Sequence, residues 1–155
     1  MRKTTLIGMI LTLLMVGAAF AADVSTDEAK IQWHSYAAGI AKAKETGRPI
    51  VIDFHAEWCK WCKEMDKKTF SDAGVITAMN ELFIPISVDT DHEQETARLY
   101  GVQSLPTMWF LTSEGERIDT LPGFVEADFF TIVLDYIASG SYKTTDFAAF
   151  MESRS

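Results

Sequence analysis

Cysteine is scarce in this sequence: the 155 residues include only two, Cys59 and Cys62, together with three histidines and four prolines. Two cysteines cannot build the disulfide network that holds a small secreted scaffold together. They also supply only half of the four ligands that a structural zinc ion needs. The three histidines show no paired spacing that would complete such a site, so no metal is expected. These histidines are His34, His55 and His92.

Positive charge is also scarce, because 14 Lys and Arg residues stand against 22 Asp and Glu residues, for a net charge of −8. An acidic chain is a poor partner for nucleic acid or for an anionic membrane surface. The glycines never assemble into G-x-G-x-x-G or a phosphate-binding loop, which argues against NAD, flavin and nucleotide cofactors. We therefore expect no nucleic-acid partner and no cofactor beyond a redox-active Cys59–Cys62 disulfide.

A long apolar run occurs once, over residues 6–20, after the basic pair Arg2 and Lys3 and before the small residues of AFAA at 19–22. This pattern is typical of a signal peptide, here over residues 1–22. The alternative is a retained membrane anchor. The run is short for a membrane-spanning helix, which needs about 17–25 residues, and this favours removal. No cysteine follows the run, which argues against a lipid anchor. We predict export to the periplasm.

Removal of this leader lowers the count of basic residues from 14 to 12 and changes the net charge from −8 to −10. About 133 residues remain, which is enough for one domain with its own apolar core. We place this domain at residues 23–140, followed by a tail over 141–155 with a short helix around 147–151. We expect the protein to be a monomer.

Apolar periodicity and turn residues predict an alternation of helices and strands. Such an order is typical of an α/β fold with a mixed central β-sheet flanked by helices on both faces. The predicted elements are a helix over 27–45 capped by Thr26, a strand over 50–55, a helix over 59–69, a helix from 71 or 72 to 80, a strand over 82–88, a helix over 92–100, hairpin strands over 107–111 and 117–121, and a helix over 127–138.

The two cysteines follow the first predicted strand and open the next helix. Besides zinc, two interpretations compete. A structural disulfide that closes a ring over only two intervening residues removes little entropy from the unfolded chain, so it stabilises weakly. A redox dithiol fits better, because free N–H groups at a helix N-terminus favour a thiolate at Cys59. Cys62 lies three residues on, on the same face of the helix.

The segment DFHAEWCKWCK at 53–63 resembles the active-site stretch of thioredoxins, and GVQSLPT at 101–107 resembles the segment that carries the cis-proline of that fold. Together with KEMDKKTFSD at 63–72 and Gly-Phe at 123–124, these motifs are similar to the C-terminal thioredoxin-like domain of the DsbD family of thiol:disulfide interchange proteins. The resemblance covers roughly residues 30–138. It implies a thioredoxin fold and thiol–disulfide oxidoreductase activity.

The sequence departs from thioredoxin at two places. Lys60-Trp61 replaces the Gly-Pro pair between the cysteines, so the reduction potential cannot be carried over. The lysine that neighbours the buried aspartate of thioredoxin aligns with Pro85, which predicts a proton pathway without that lysine.

The resemblance implies that Cys59 attacks a client disulfide through an exposed, ionised sulfur and that the less exposed Cys62 resolves the mixed disulfide. It also implies a cis bond at Pro106, which presents the backbone of Leu105 to an extended partner. Trp58 and Trp61 are expected to form an apolar rim around the sulfurs. Lys60 either supports the thiolate or is simply solvated.

Asp53 interrupts an apolar strand, and a carboxyl group buried there has a raised pKa. We interpret Asp53 as the base that accepts the proton of Cys62, the alternative being a strand-end side chain that faces solvent. Asp66, one helical turn after Cys62, is either a second acid of the site or an exposed helix residue. Together with Glu57 and Glu64, these acids should oppose the thiolate and leave Cys59 with an intermediate pKa.

The resemblance implies a carrier of reducing equivalents. Such a protein would reduce exported client proteins and take its electrons from a membrane thiol donor of the DsbD or CcdA type. The alternatives are an oxidase or isomerase that donates its disulfide, and a non-catalytic binding module. Reduction potentials in this fold run from about −270 to about −120 mV, so the sequence leaves the direction of electron flow open.

Overall fold

A four-stranded mixed sheet lies at the centre of the computed structural model, which describes residues 29–154. The predicted signal peptide over 1–22 and the cap Thr26 lie outside the described residues. The strand order is β2-β1-β3-β4, with β1 parallel to β2 and antiparallel to β3, and with β3 antiparallel to β4. The strands are β1 (Ile50–His55), β2 (Ile84–Asp89), β3 (Thr107–Leu111) and β4 (Arg117–Pro122).

Helices cover both faces of this sheet, as the sequence predicts. The side chains of β1 alternate, so that Ile50, Ile52 and Phe54 join one apolar cluster while Val51 joins the other. The first cluster lies beneath α1 and α4, and the second lies beneath α2, α3 and α5. The helices are α1 (Tyr36–Thr46), α2 (Lys60–Lys68), α3 (Ala73–Leu82), α4 (Gln94–Leu99), α5 (Ala127–Ala138) and α6 (Phe147–Glu152).

The prediction of a helix from residue 27 is wrong, because α1 begins at Tyr36. Residues 29–35 are not helical, and His34 adds to the edge of the sheet. The N–H of His34 donates to the Pro85 carbonyl at 2.9 Å, and the His34 carbonyl accepts from the N–H of Ser87 at 3.1 Å. Ile31 and Trp33 pack into the cluster beneath α2 and α3, a spacing of two residues that suits an extended chain better than a helix.

Smaller differences concern the ends of elements. Strand β2 begins two residues later than predicted, at Ile84, and α4 is shorter at both ends. Pro85 is tolerated because β2 is an edge strand, where a missing N–H breaks no ladder on the outer side. Strands β1 and β3 and helix α5 have the predicted bounds. Within residues 29–154, none of the helices has the length and hydrophobicity of a membrane span.

The segment predicted as a tail is packed against α5. It consists of a 3₁₀ turn at Ser141–Lys143 followed by α6. The Phe147 ring lies 5.8 Å from that of Phe129 and 5.2 Å from that of Tyr136. The Tyr136 hydroxyl donates to the Thr145 carbonyl at 2.7 Å. The C-terminal segment therefore extends the apolar core and is part of the domain.

We expect Phe147→Ala to lower the free energy of unfolding by about 2 kcal/mol. Truncation of a fully buried Phe costs more, about 3–5 kcal/mol. The reason is that Phe147 is only half-buried. Urea unfolding followed by circular dichroism measures the change, with the exposed Thr144→Ala as the control. An unchanged midpoint for Phe147→Ala would mean that α6 adds nothing to the stability of the domain.

Candidate active site

The two cysteines form a disulfide at the N-terminus of α2, with their Cα atoms 5.3 Å apart. Cys59 is the N-cap residue of this helix, and its sulfur accepts a hydrogen bond from the N–H of Cys62 at 3.1 Å. An N-cap side chain faces N–H groups that have no partner within the helix. When the disulfide is reduced, the same donors stabilise negative charge on Cys59.

The predicted difference in exposure between the cysteines is absent from this disulfide form. Cys59 is 4% exposed and Cys62 is 5% exposed, so both are buried. Ala56 and Leu105 pack against the two cysteines and cover the sulfurs. The distinction between an attacking and a resolving cysteine therefore has to come from the N-cap position of Cys59 and not from exposure.

Leu105 belongs to a loop that ends at β3 and borders the disulfide. The Leu105–Pro106 peptide bond is cis. Two hydrogen bonds hold the loop: the N–H of Gly123 donates to the Pro106 carbonyl at 2.8 Å, and the Thr107 hydroxyl donates to the Ser104 carbonyl at 2.8 Å. This loop and the start of α2 thus form one surface that contains the sulfurs.

Asp53 lies in the middle of β1 and is only 6% exposed, so the alternative of a solvent-facing strand-end aspartate is wrong. Its Oδ1 atom has no hydrogen-bond partner among residues 29–154. Burial raises the pKa of Asp53 to about 8, and the charge of Asp66 adds to this shift. The alternation of β1 directs the side chain to the face that carries α2. A carboxyl group with such a pKa can exchange a proton near neutral pH.

Asp66 has features of both predicted alternatives, an exposed helix residue and a second acid of the site. It lies on an exposed side of α2, yet the surrounding protein removes enough water to raise its pKa, while the charge of His55 opposes the shift. Asp66 also borders a cleft of about 320 Å³ whose wall includes Trp33 and Phe70. It is therefore an acid at the edge of the site that acts on Asp53 through its charge.

The neighbours of Asp53 on β2 follow from the register of the sheet. Asp53 pairs with Ser87, whereas Pro85 pairs with Val51. The Ser87 hydroxyl is 2.8 Å from Nε2 of His55. Sequence reasoning missed Ser87 and His55, although the two-residue period of β1 places His55 on the same face as Asp53. The position that pairs with Asp53 thus holds a neutral hydroxyl group, and the proton pathway without the thioredoxin lysine stays a prediction.

The two tryptophans of the predicted rim are both exposed and have different neighbours. Trp58 is 69% exposed, and its indole N–H donates to the Asp91 carboxylate at 3.0 Å. Trp61 is 55% exposed, and its ring lies 5.8 Å from that of Phe124. The Lys60 ammonium lies 6.0 Å from the centre of the Trp61 ring. Trp58 and Trp61, each directly before a cysteine in the sequence, thus present accessible aromatic surface, and their enclosure of the sulfurs stays a prediction.

Glu57 lies on the surface, on the Trp58 side of the site. Its charge acts on His92, whose pKa is raised first by its hydrogen bond to Asp89 and further by the charges of Asp89, Asp91 and Glu57. The predicted influence of Glu57 on Cys59 remains a prediction.

A disulfide at a helix N-terminus, a buried carboxyl group behind it and a cis-proline loop beside it define a thiol–disulfide oxidoreductase site on a thioredoxin fold. A family model described as a thioredoxin-like domain matches residues 36–138, and the chain belongs to this family.

The curated relatives include the thiol:disulfide interchange proteins DsbD of Salmonella typhimurium and Neisseria meningitidis. The first is 34% identical over 96 residues, which is 59% of this chain and 17% of the relative. The second is 38% identical over 86 residues, which is 54% of this chain and 14% of the relative. The chain therefore matches less than a fifth of the length of these curated relatives.

Two solved structures agree with this relationship. The C-terminal domain of Neisseria meningitidis DsbD in its oxidised form is 36% identical, with a TM-score of 0.53, covering 61% of this chain and 85% of that one. A thioredoxin from Thermus thermophilus is 30% identical, with a TM-score of 0.64, covering 70% and 87%. The chain is thus a DsbD-related thioredoxin-like protein with a Cys-x-x-Cys pair.

Proposed function

We propose that the protein is an exported thiol–disulfide oxidoreductase that reduces disulfides of client proteins in the periplasm and is itself re-reduced by a membrane thiol donor. The observation that carries this proposal is the Cys59–Cys62 disulfide at the N-terminus of α2 with the unpaired carboxyl group of Asp53 buried behind it. The predicted leader supports export. The relatives, named as thiol:disulfide interchange proteins, support thiol–disulfide exchange with a partner protein.

The reaction transfers two electrons to the client. In the reduced protein, the Cys59 thiolate attacks one sulfur of the client disulfide, that bond breaks, and a mixed disulfide forms while the second client sulfur leaves as a thiolate and takes up a proton. Cys62 then loses its proton and attacks the Cys59 sulfur. This step re-forms the Cys59–Cys62 disulfide and releases the client as a dithiol.

We assign Asp53 as the group that accepts the proton of Cys62. An ordinary thiol has a pKa of about 8.5, and the pKa of about 8 at Asp53 is close to it. Proton transfer between groups of similar pKa needs little driving force in either direction. The same carboxyl group can therefore accept the proton when Cys62 attacks and return it when the membrane donor reduces the disulfide.

We expect the Cys59–Cys62 pair to equilibrate with glutathione at a potential nearer the about −270 mV of thioredoxin than the about −120 mV of a strong oxidant. The acids around the site are the physical reason, because their charges disfavour the thiolate that stabilises the reduced form of an oxidant. Tryptophan fluorescence reports the redox state, since Trp58 and Trp61 flank the sulfurs. The reduced protein should also reduce insulin in the presence of dithiothreitol.

Each result separates the proposal from an alternative. A potential near about −120 mV would favour the oxidase. Failure to reduce insulin, with an intact Cys59–Cys62 pair by mass spectrometry, would favour a non-catalytic binding module. The double variant Cys59→Ser/Cys62→Ser is the control for reduction by dithiothreitol alone.

A further inference from the structure

An exposed pair of aromatic rings adjoins the disulfide on one side. Trp61 and Phe124 lie with their ring centres 5.8 Å apart and their planes 35° from parallel. Trp61 is 55% exposed and Phe124 is half-buried. Trp61 stands between the two cysteines in the sequence, so a client sulfur that reaches Cys59 brings its neighbouring residues close to this pair.

Two lysines lie over these rings. The Lys60 ammonium is 6.0 Å from the centre of the Trp61 ring, and the Lys68 ammonium is 5.7 Å from the centre of the Phe124 ring. Lysine stems cover apolar surface in this way while the charge stays in water. Lys68 also lies 3.8 Å from a Glu64 carboxylate oxygen, but such an exposed pair holds its partner weakly. The chain as a whole is acidic, so this is a local reversal of charge.

The opposite side of the disulfide carries acids. Trp58 is hydrogen-bonded to Asp91, and Glu57 and Asp89 lie on the same side of the site. The His92 imidazole is paired with Asp89 at 2.9 Å, which offsets only part of this charge when the ring is protonated. The charge around the site is therefore asymmetric. Ammonium groups lie over Trp61 and Phe124 on one side, and carboxylates lie beside Trp58 on the other.

We propose that the basic aromatic surface formed by Trp61, Phe124, Lys60 and Lys68 binds an acidic side chain next to the reacting cysteine of the client. The rings supply apolar contact and the ammonium groups attract the carboxylate. The acids beside Trp58 repel an acidic group on the other side of the client cysteine. This inference rests on the proposed thiol exchange, and it holds for either direction of electron flow.

Short peptides test the proposal. Each contains one cysteine in a mixed disulfide with 2-mercaptoethanol, and the residue directly before or directly after the cysteine is Asp, Asn or Lys. The second-order rate constant for oxidation of the reduced protein is measured by tryptophan fluorescence at low and at high salt. The rate constant for hydroxyethyl disulfide, a small neutral probe, is measured for every variant, and peptide rates are divided by it.

We expect one of the two Asp peptides to react about three- to ten-fold faster than its Asn counterpart at low salt, which is the range of one or two exposed charge pairs. The position that shows this preference reveals which way the client segment lies across the site. The Lys peptide with the same position should be slower than the Asn peptide. Added salt should reduce the preference, because exposed charges are screened.

The variant Lys68→Gln should lose at least half of the Asp preference, whereas the matched control Lys42→Gln should retain it. Lys42 is exposed on α1, beneath the other face of the sheet. Equal rates for the Asp, Asn and Lys peptides would overturn the proposal, and so would an equal loss of preference in both variants, which would point to net charge alone. Failure of hydroxyethyl disulfide to react at all would instead remove the proposed thiol exchange, and the docking inference with it.

Discussion

Replacing Cys59 with serine is expected to abolish reduction of insulin and of peptide disulfides, whereas Cys62→Ser should accumulate a mixed disulfide between Cys59 and the client. The reason is the position of Cys59 at the N-cap of α2, where free N–H groups stabilise its thiolate. Without Cys62, no internal thiol remains to break the mixed disulfide. Non-reducing electrophoresis and mass spectrometry detect the trapped species, and insulin turbidity measures the loss of activity.

The equal burial of the two cysteines makes this test informative, because exposure alone does not assign their roles. If Cys59→Ser trapped the client and Cys62→Ser did not, the roles would be reversed. Reduction of insulin by the Cys62→Ser variant at the wild-type rate would contradict the two-cysteine mechanism. Circular dichroism of both variants in the reduced state checks that the fold is retained.

The substitution Asp53→Asn should stabilise the protein at pH 7 by an amount on the order of 4 kcal/mol. The Asp53 carboxyl group ionises near pH 3.8 in an ordinary environment and near pH 8 in the folded protein. Between these values the folded state holds a proton that the unfolded state has released. Stability of the wild type therefore falls as pH rises from about 4 to about 8 and levels off above it. Asparagine cannot ionise, so the variant lacks this fall.

Urea unfolding between pH 4 and pH 9 measures this effect. The free energy of unfolding of Asp53→Asn should equal that of the wild type near pH 4. It should exceed the wild-type value by a growing amount up to pH 8. The exposed hairpin variant Glu114→Gln, which changes the net charge equally, should show no such growth. Asp66→Asn should shift the wild-type profile to lower pH, because the Asp66 charge contributes to the raised pKa of Asp53. Parallel profiles for Asp53→Asn and wild type would contradict a buried, protonated Asp53.

Stability and activity should change in opposite directions in the Asp53→Asn variant. The substituted amide would leave Cys62 without an acceptor for its proton, so release of the client from the mixed disulfide should slow, and its dependence on an ionisation near pH 8 should be lost. This combination distinguishes a proton acceptor from a residue that only packs in the sheet.

Local patterns were sufficient for the elements whose neighbours in sequence decide their shape. The apolar run IVIDFH predicted β1 with its observed bounds, and the period of α5 predicted that helix. The cysteine pair at a strand-to-helix junction predicted the disulfide at the start of α2, since three residues of helix bring two side chains together. The isolated carboxylate in an apolar strand predicted a buried acid with a raised pKa.

Features that depend on a distant partner were not available from such patterns. The residues before α1 look helical in isolation, but hydrogen bonds to Pro85 and Ser87 make His34 part of the sheet edge. The C-terminal segment becomes part of the core only because the Phe147 ring meets Phe129 and Tyr136. In both cases a tertiary contact outweighs weak local preferences.

The sequence by itself determined the chemistry of this protein: a redox pair at a helix start, a buried acid behind it and two tryptophans beside the cysteines, all specified by residues close together in the chain. The tertiary structure decided what surrounds that chemistry. The register of β1 against β2 paired Ser87 with Asp53, the loop at Leu105 packed against both cysteines, and the return of the chain at Phe124 placed a ring against Trp61 and beneath the Lys68 ammonium. Strand pairing and chain return join residues that are tens of positions apart, and a one-residue change of register moves a different side chain into the site.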